Sequence, residues 1–322
     1  MNAPLISIVI PVKNGDSWLE NLFAGLETQT LFHECEIIVI DSGSTDNSLQ
    51  ICKKHNVSVY SISPQNFNHG LTRNLGLKYA KGKFILMTVQ DAVPEKKNFL
   101  ELLVECLEDG NTAGVCGMQI VPEKTETNPF HWHRPLETPK INCYQFQQPW
   151  QFDKLTPEEK MQICCWDDVC AMYTREALSE IPFREVLFGE DMAWCVDALR
   201  KGYRICYQPA AKVFHYHLDE PRYIYRRTIN ELYSYYNNFR YIPVEESNLI
   251  TTLKSVKLII LEGKIPFRKK LYWFRKQLQS KKISQEAIHH FLKYQQKGDE
   301  ELYKFYSAIC NLPDQAPKGK LA

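Results

Sequence analysis

The first 120 residues alternate short, continuously apolar runs with segments of helical period, and this alternation restricts the fold more than any other feature. LISIVIPV (5–12), EIIVID (36–41), VSVYSI (57–62) and KFILMTV (83–89) have the length and β-branched content of buried strands. Between them, SWLENLFAGLETQ (17–29), STDNSLQICKKH (44–55, with Ser44 as cap) and GLTRNLGLKYAKG (70–82, ended by Gly82) read as helices. Strands that are apolar on both faces must be covered on both faces. The pattern therefore predicts an α/β fold with a mostly parallel sheet. Ligands of such sheets bind beyond the carboxyl ends of the strands. Here those ends carry Pro11-Val12-Lys13-Asn14, Asp41-Ser42-Gly43-Ser44 and Gln90-Asp91, three polar tips on one edge.

Residues 122–160 are Pro-rich, aromatic and weakly periodic, the profile of a functional lid. Periodicity returns at WDDVCAMYTREALSEI (166–181) and at FGEDMAWCVDALRKGY (188–203), the second a helix with acids in its first turn. From about residue 221 the pattern is helical. The net charge of +1 conceals a strong asymmetry. From Arg222 onward, Lys and Arg number 19 against 9 Asp and Glu, leaving 20 against 29 upstream. An acidic front part is followed by a basic, aromatic extension.

Eleven cysteines without C-x-x-C spacing fit reduced, mostly buried thiols in a cytosolic protein better than a disulfide framework. The N-terminal apolar run is too short for a signal peptide, being interrupted by Pro11 and Lys13. No segment approaches the roughly 20 apolar residues of a bilayer span. A soluble or surface-resting protein is expected.

Neither G-x-G-x-x-G nor a P-loop follows any strand, which disfavours a dinucleotide dehydrogenase or an ATPase. Without a Gly-rich cradle, a diphosphate ligand requires a divalent metal or Arg and Lys. Asp91 at a strand tip suits Mg2+ or Mn2+, although for an isolated Asp-x-x-Pro a capping or turn aspartate is the commoner explanation. Glu190 and Asp191 open a helix, where acids serve either as N-terminal caps or as a general base. His215 and His217, two apart in VFHYH (213–217), face one side of a strand, compatible with a metal or phosphate role or with ordinary packing.

Taken in order, SIVIPVKNG, EIIVIDSGSTDNS, the helical TRN-x-G, the strand ending in an aspartate, FGED and V-x-H resemble glycosyltransferase family 2. Members have the GT-A fold and invert the anomeric centre of a nucleotide-activated sugar. FNHGLTRNLG (67–76), TVQDAVP and VFHYH are similar to the bacterial rhamnosyltransferase-like branch. The resemblance spans roughly residues 5–217 and implies roles for particular residues. Pro11, Lys13 and Asn14 contact the nucleotide, Asp41 accepts the pyrimidine N3–H, and Ser44 shares its loop. His69 and Arg73 line the base and diphosphate pocket, with Gln90 beside them. Asp91 matches the second acid of D-x-D and ligates the metal with His215 nearby, while His217 is structural. Asp191 is the catalytic base and Glu190 its supporting acid. Asp168 falls at an acceptor-site position, and Trp132, in NPFHWHRP (128–135), is placed to stack on the sugar from a lid. The first D-x-D acid is replaced by Val89, which weakens the expectation of metal dependence.

The expectation is a GT-A domain over residues 1–220 with a helical extension over 221–322. It transfers a sugar, first L-rhamnose from dTDP-rhamnose, to a glycan or lipid-linked glycan in bacterial surface polysaccharide synthesis. A UDP-hexose or UDP-N-acetylhexosamine transferase is the alternative, and a noncatalytic nucleotide-sugar-binding scaffold is the alternative of another class. Basic-aromatic stretches at 223–236 and 268–277 fit peripheral contact with the inner face of a membrane, or a solvated or subunit-facing helix. No nucleic-acid recognition motif accompanies them.

Overall fold

A computed structural model of the chain describes residues 3–124, 126–132, 140–217, 220–243, 257 and 263–310. They fall into two compact units, one within Met1–Ile120 and Glu137–His215, the other within Val121–Leu136 and Tyr216–Lys318.

The first unit begins β1 (Ile6–Val12), α1 (Asp16–Glu27), β2 (Cys35–Asp41), α2 (Ser48–Lys54), β3 (Ser58–Ser61), α3 (His69–Tyr79) and β4 (Phe84–Thr88). It continues through β5 (Val93–Pro94), α4 (Phe99–Leu107), β6 (Thr112–Ile120), β7 (Asn142–Tyr144), α5 (Pro149–Asp153) and α6 (Pro157–Ile163). β8 (Cys170–Thr174), α7 (Arg175–Glu180), α8 (Glu190–Arg200) and β9 (Arg204–Phe214) complete it. The strands form one sheet in the order β3-β2-β1-β4-β8-β6-β9-β5, with β7 also on β9. β3, β2, β1 and β4 are parallel neighbours, as are β6 and β9, whereas β8, β5 and β7 pair antiparallel.

Alternate residues of β1 serve the two faces. Ile6, Ile8, Ile10 and Val12 join a core with Leu22 and Phe23 of α1 and Leu100 and Leu103 of α4. On the other face α3 approaches so closely that a Cβ on Gly76 would stand 2.3 Å from the Val9 side chain, so only glycine fits there.

Several expectations change in detail. Helix α2 begins after Asn47, so Ser44 is not its cap. Segment 166–181 divides into a strand, β8, and a helix, α7, because the apolar CAMYT run sits between β4 and β6 and is buried on both sides. The 122–160 segment does not act as one loop. Its beginning packs within the second unit, while β7, α5 and α6 belong to the first. Cys143 and Cys206 form a disulfide, against the expectation of reduced thiols. They are register partners on β7 and β9, 63 residues apart in sequence, a proximity that cysteine spacing cannot reveal.

The second unit contains α9 (Pro221–Phe239), α10 (Phe267–Gln295) and α11 (Asp299–Cys310). Ile229, Leu232, Ala287, Phe291, Leu302 and Tyr306 are buried, and the Tyr233 and Tyr306 rings stack at 3.7 Å. A second cluster holds Val121, Trp132, Ile265 and Trp273. Among the described residues no helix is long and apolar enough to cross a membrane.

Candidate active site

The tips of β1, β2 and β4 are tied together by side-chain amides and hydroxyls. Pro11 lies beyond the last β1–β4 register pair, Val9–Met87, where that ladder no longer calls for an amide donor. The Lys13 N–H donates to Gln90 Oε1 at 2.9 Å and Gln90 Nε2 donates back to the Lys13 carbonyl at 3.3 Å. Asn14 adopts φ 51°, a left-handed conformation that Asn tolerates. Its N–H donates to Ser44 Oγ at 2.9 Å and its Oδ1 accepts from Thr45 N at 2.8 Å. Asp41, only 2% exposed, accepts from the N–H groups of Gly43 and Ser44. Lys13, Asn14, Asp41, Ser44 and Gln90 thus form one polar rim, and Ser44 braces it instead of capping α2. His69 is the exposed first residue of α3, edge-on to Phe67 at 4.9 Å.

The next pair is assembled by register. Val93 opposes Phe214 in the antiparallel β5–β9 ladder, which brings Asp91, just before β5, to His215, just after β9. His215 Nε2 lies 3.5 Å from Asp91 Oδ1, and their ligating atoms belong to a group compatible with a metal ion. On the far side of the ring, His215 Nδ1 is 2.6 Å from Gln119 Oε1. An amide oxygen only accepts, so Nδ1 donates to it and the ring is held with Nε2 on the side of Asp91. A carboxylate and an oriented imidazole nitrogen fit a divalent cation, and the mixed donor set favours Mn2+ over Mg2+.

The third element is a buried acid cluster. Thr88 opposes Cys170, so the residues leading into β8 stand beside the β4 tip, and Thr88 Oγ1 donates to the Val169 carbonyl at 2.9 Å. Gly189, at φ 80°, gives the left-handed entry into α8 that a side chain would strain. Glu190 and Asp191 then occupy the helix start. Arg73, 4% exposed, forms ion pairs with Glu190 through Nη1 and with Asp168 Oδ2 through Nε at 3.0 Å, the latter off hydrogen-bond alignment. Asp168 accepts from the Tyr173 hydroxyl, which accepts from Trp166 Nε1 at 2.6 Å. Asp191 keeps a partly exposed edge and accepts from the Asp168 N–H at 3.3 Å and the Met192 N–H at 2.7 Å.

One guanidinium here faces three carboxyls. Burial, reinforced by the charges of Glu190, Asp168 and Asp167, pushes the Asp191 carboxyl well above the usual carboxylate range. Burial, opposed by Arg73, raises Asp168 to about 7. Glu190 and Asp168 hold Arg73 protonated against its own burial.

Three sequence assignments change accordingly. Arg73, expected to line the donor pocket, is buried and paired with Glu190 and Asp168. Asp168, 1% exposed, faces Arg73 and Tyr173 and not an acceptor. Trp132, expected over the sugar, is 7% exposed, donates to Thr127 Oγ1 at 2.8 Å and packs in the second unit. Gln119 and Tyr173 went unrecognised in the sequence, because a Gln or Tyr inside an apolar strand has no local signature.

A parallel-sheet edge carrying a polar rim, a carboxylate–imidazole pair and a buried acid cluster belongs to the GT-A class of sugar transferases. Solved structures bear out that fold. The chain resembles a mannosyltransferase from Pyrobaculum calidifontis in complex with GDP-Man and Mn2+ (TM-score 0.53, 15% identity, covering 96% of this chain and 80% of that one). It also resembles Staphylococcus aureus TarS 1–349 in complex with UDP-GlcNAc (TM-score 0.50, 15% identity, 89% and 91%). The chain belongs to glycosyl transferase family 2, whose family model matches residues 7–182. It is 31% identical over 230 residues to an O-antigen chain rhamnosyltransferase of Salmonella anatum, covering 70% of each chain. A second O-antigen chain rhamnosyltransferase, from Salmonella typhimurium, is 30% identical over 229 residues, covering 69% of each. The chain is therefore a glycosyltransferase enzyme of the inverting kind.

Proposed function

We propose that the chain transfers a sugar, first L-rhamnose from dTDP-rhamnose, to a hydroxyl of a glycan or lipid-linked glycan in bacterial surface polysaccharide synthesis. The names of the two Salmonella relatives support this donor and acceptor class. The chemistry is assigned to residues 1–220 and an accessory role to 221–322, with action at the cytoplasmic face of the membrane. The observation that carries the reading is Asp191, a partly exposed carboxylate at a helix start, desolvated on its inner side.

The rim of Pro11, Lys13, Asn14, Asp41, Ser44 and Gln90 holds the nucleotide, with His69 at its margin. Asp91 and His215 would hold a divalent ion, which when bound offsets charge on the departing diphosphate. Backbone donors from Asp168 and Met192 fix the Asp191 carboxylate, whose remaining lone pairs face the acceptor hydroxyl. Asp191 takes the hydroxyl proton as that oxygen bonds to the anomeric carbon. The bond to the diphosphate oxygen breaks on the opposite side, so the centre inverts. Burial raises the proton affinity of this base, and transfer rises with pH as the carboxyl loses its proton. Arg73 pairs with Glu190 and Asp168, holding the cluster without quenching Asp191.

A panel of nucleotide-sugars screened for nucleotide release identifies the donor, and release from UDP-sugars but not dTDP-rhamnose overturns the first assignment. Asp191→Asn keeps donor binding but lowers transfer by at least about 10²-fold; near-normal transfer removes Asp191 as base. Asp91→Ala weakens metal-dependent donor binding, and an unchanged Mn2+ titration would place no ion there.

A further inference from the structure

Over its first five turns, α10 carries an apolar stripe that is largely exposed among the described residues, with Phe274 half-buried. Trp273, Ala287 and Phe291 are buried and fix one side of the helix within the second unit. Phe267, Leu271, Phe274 and Leu278 follow at spacings of four, three and four, which sets them on a single stripe roughly opposite those three. Phe267 is 81% exposed, Leu271 47% and Leu278 48%. Cations border the stripe on both margins. Arg268, Arg275 and Lys282, each seven residues from the next, run along one side, and Lys270 and Lys281 along the other. Residues 267–285 contain seven Lys and Arg and no Asp or Glu.

Charge decides what can cover such a stripe. The same face of a second copy would set like cations against one another across a two-fold axis, with no acid in the segment to relieve them. Insertion across a bilayer is excluded by the polar composition of the helix. A helix lying in the interfacial plane satisfies both features, with its apolar stripe among acyl chains and its flanking cations at lipid phosphates. We propose that the Phe267–Lys282 face of α10 docks the protein on anionic phospholipid. This gives a specific surface to peripheral membrane contact and rests on no part of the sugar-transfer chemistry.

The test is flotation of the full chain with vesicles of phosphatidylcholine, with and without phosphatidylglycerol, in the absence of donor and acceptor. Binding is expected only with phosphatidylglycerol and falls as salt rises. Arg268→Gln, Arg275→Gln and Lys282→Gln together lower the partition coefficient on the order of a hundredfold, at about fivefold per charge. Phe267→Gln, Leu271→Gln and Leu278→Gln together abolish the remaining binding. The three cations are exposed, so the charge variant keeps the wild-type circular dichroism spectrum and carries the test even if the stripe variant misfolds. No binding to phosphatidylglycerol vesicles overturns the proposal, as does binding that the charge variant leaves unchanged. A stripe-dependent dimer seen by light scattering without lipid would assign the face to a second copy instead.

Discussion

Replacing Asp168 with Asn tests whether the buried acid cluster is as electrostatically lopsided as its geometry implies. In the wild type Asp168 is 1% exposed and shares Arg73 with Glu190. Burial outweighs that shared cation and raises the carboxyl from 3.8 to about 7. At about 1.4 kcal/mol per unit, the shift corresponds to roughly 4 kcal/mol. The folded value lies above the unfolded one. Stability from the bound proton is therefore complete below about pH 4 and is lost as pH rises through about 7. Asparagine cannot ionise, and its oxygen still accepts from the Tyr173 hydroxyl. Its NH2 group facing Arg73 is a fixed cost at every pH. The stability of the variant minus that of the wild type should therefore climb by about 4 kcal/mol between about pH 4 and pH 8. Urea unfolding of both proteins at constant ionic strength across that range measures the difference directly. A difference that stays flat would mean that Asp168 titrates like a surface carboxylate, and the reasoning about one cation and three carboxyls would fail.

Two further perturbations separate the metal pair from the acid cluster. Gln119→Leu removes the acceptor that orients His215 and should weaken Mn2+ binding about 10–100-fold without changing the fold, measured by calorimetry. Arg73→Met strips the cluster of its cation and should destabilise by about 3–5 kcal/mol at neutral pH. The loss shrinks in acid, where the carboxyls accept protons, so thermal unfolding at two pH values checks both the size and the trend.

The four leading strands and the helices between them were legible because apolar runs and helical periods are local properties of the chain. The start of α2 differs from its sequence signal because Ser44 looks like a cap in sequence, while in the fold its hydroxyl accepts from the Asn14 N–H. β8 was hidden because its neighbours, β4 and β6, are distant in sequence. Arg73, read as a pocket residue from its motif, turned inward because Glu190, 117 residues away, lies beside it.

The sequence alone therefore determined the α/β layering, the family and the acids present at the strand tips and at the start of α8. Tertiary structure alone decided which polar side chains stay open to a ligand and which are consumed in holding others. That choice took Arg73, Asp168 and Trp132 into buried contacts, and it set Gln119 behind His215. Hydrophobic periodicity is written in neighbouring residues, whereas the partner of a buried charge is fixed only when remote segments are packed together.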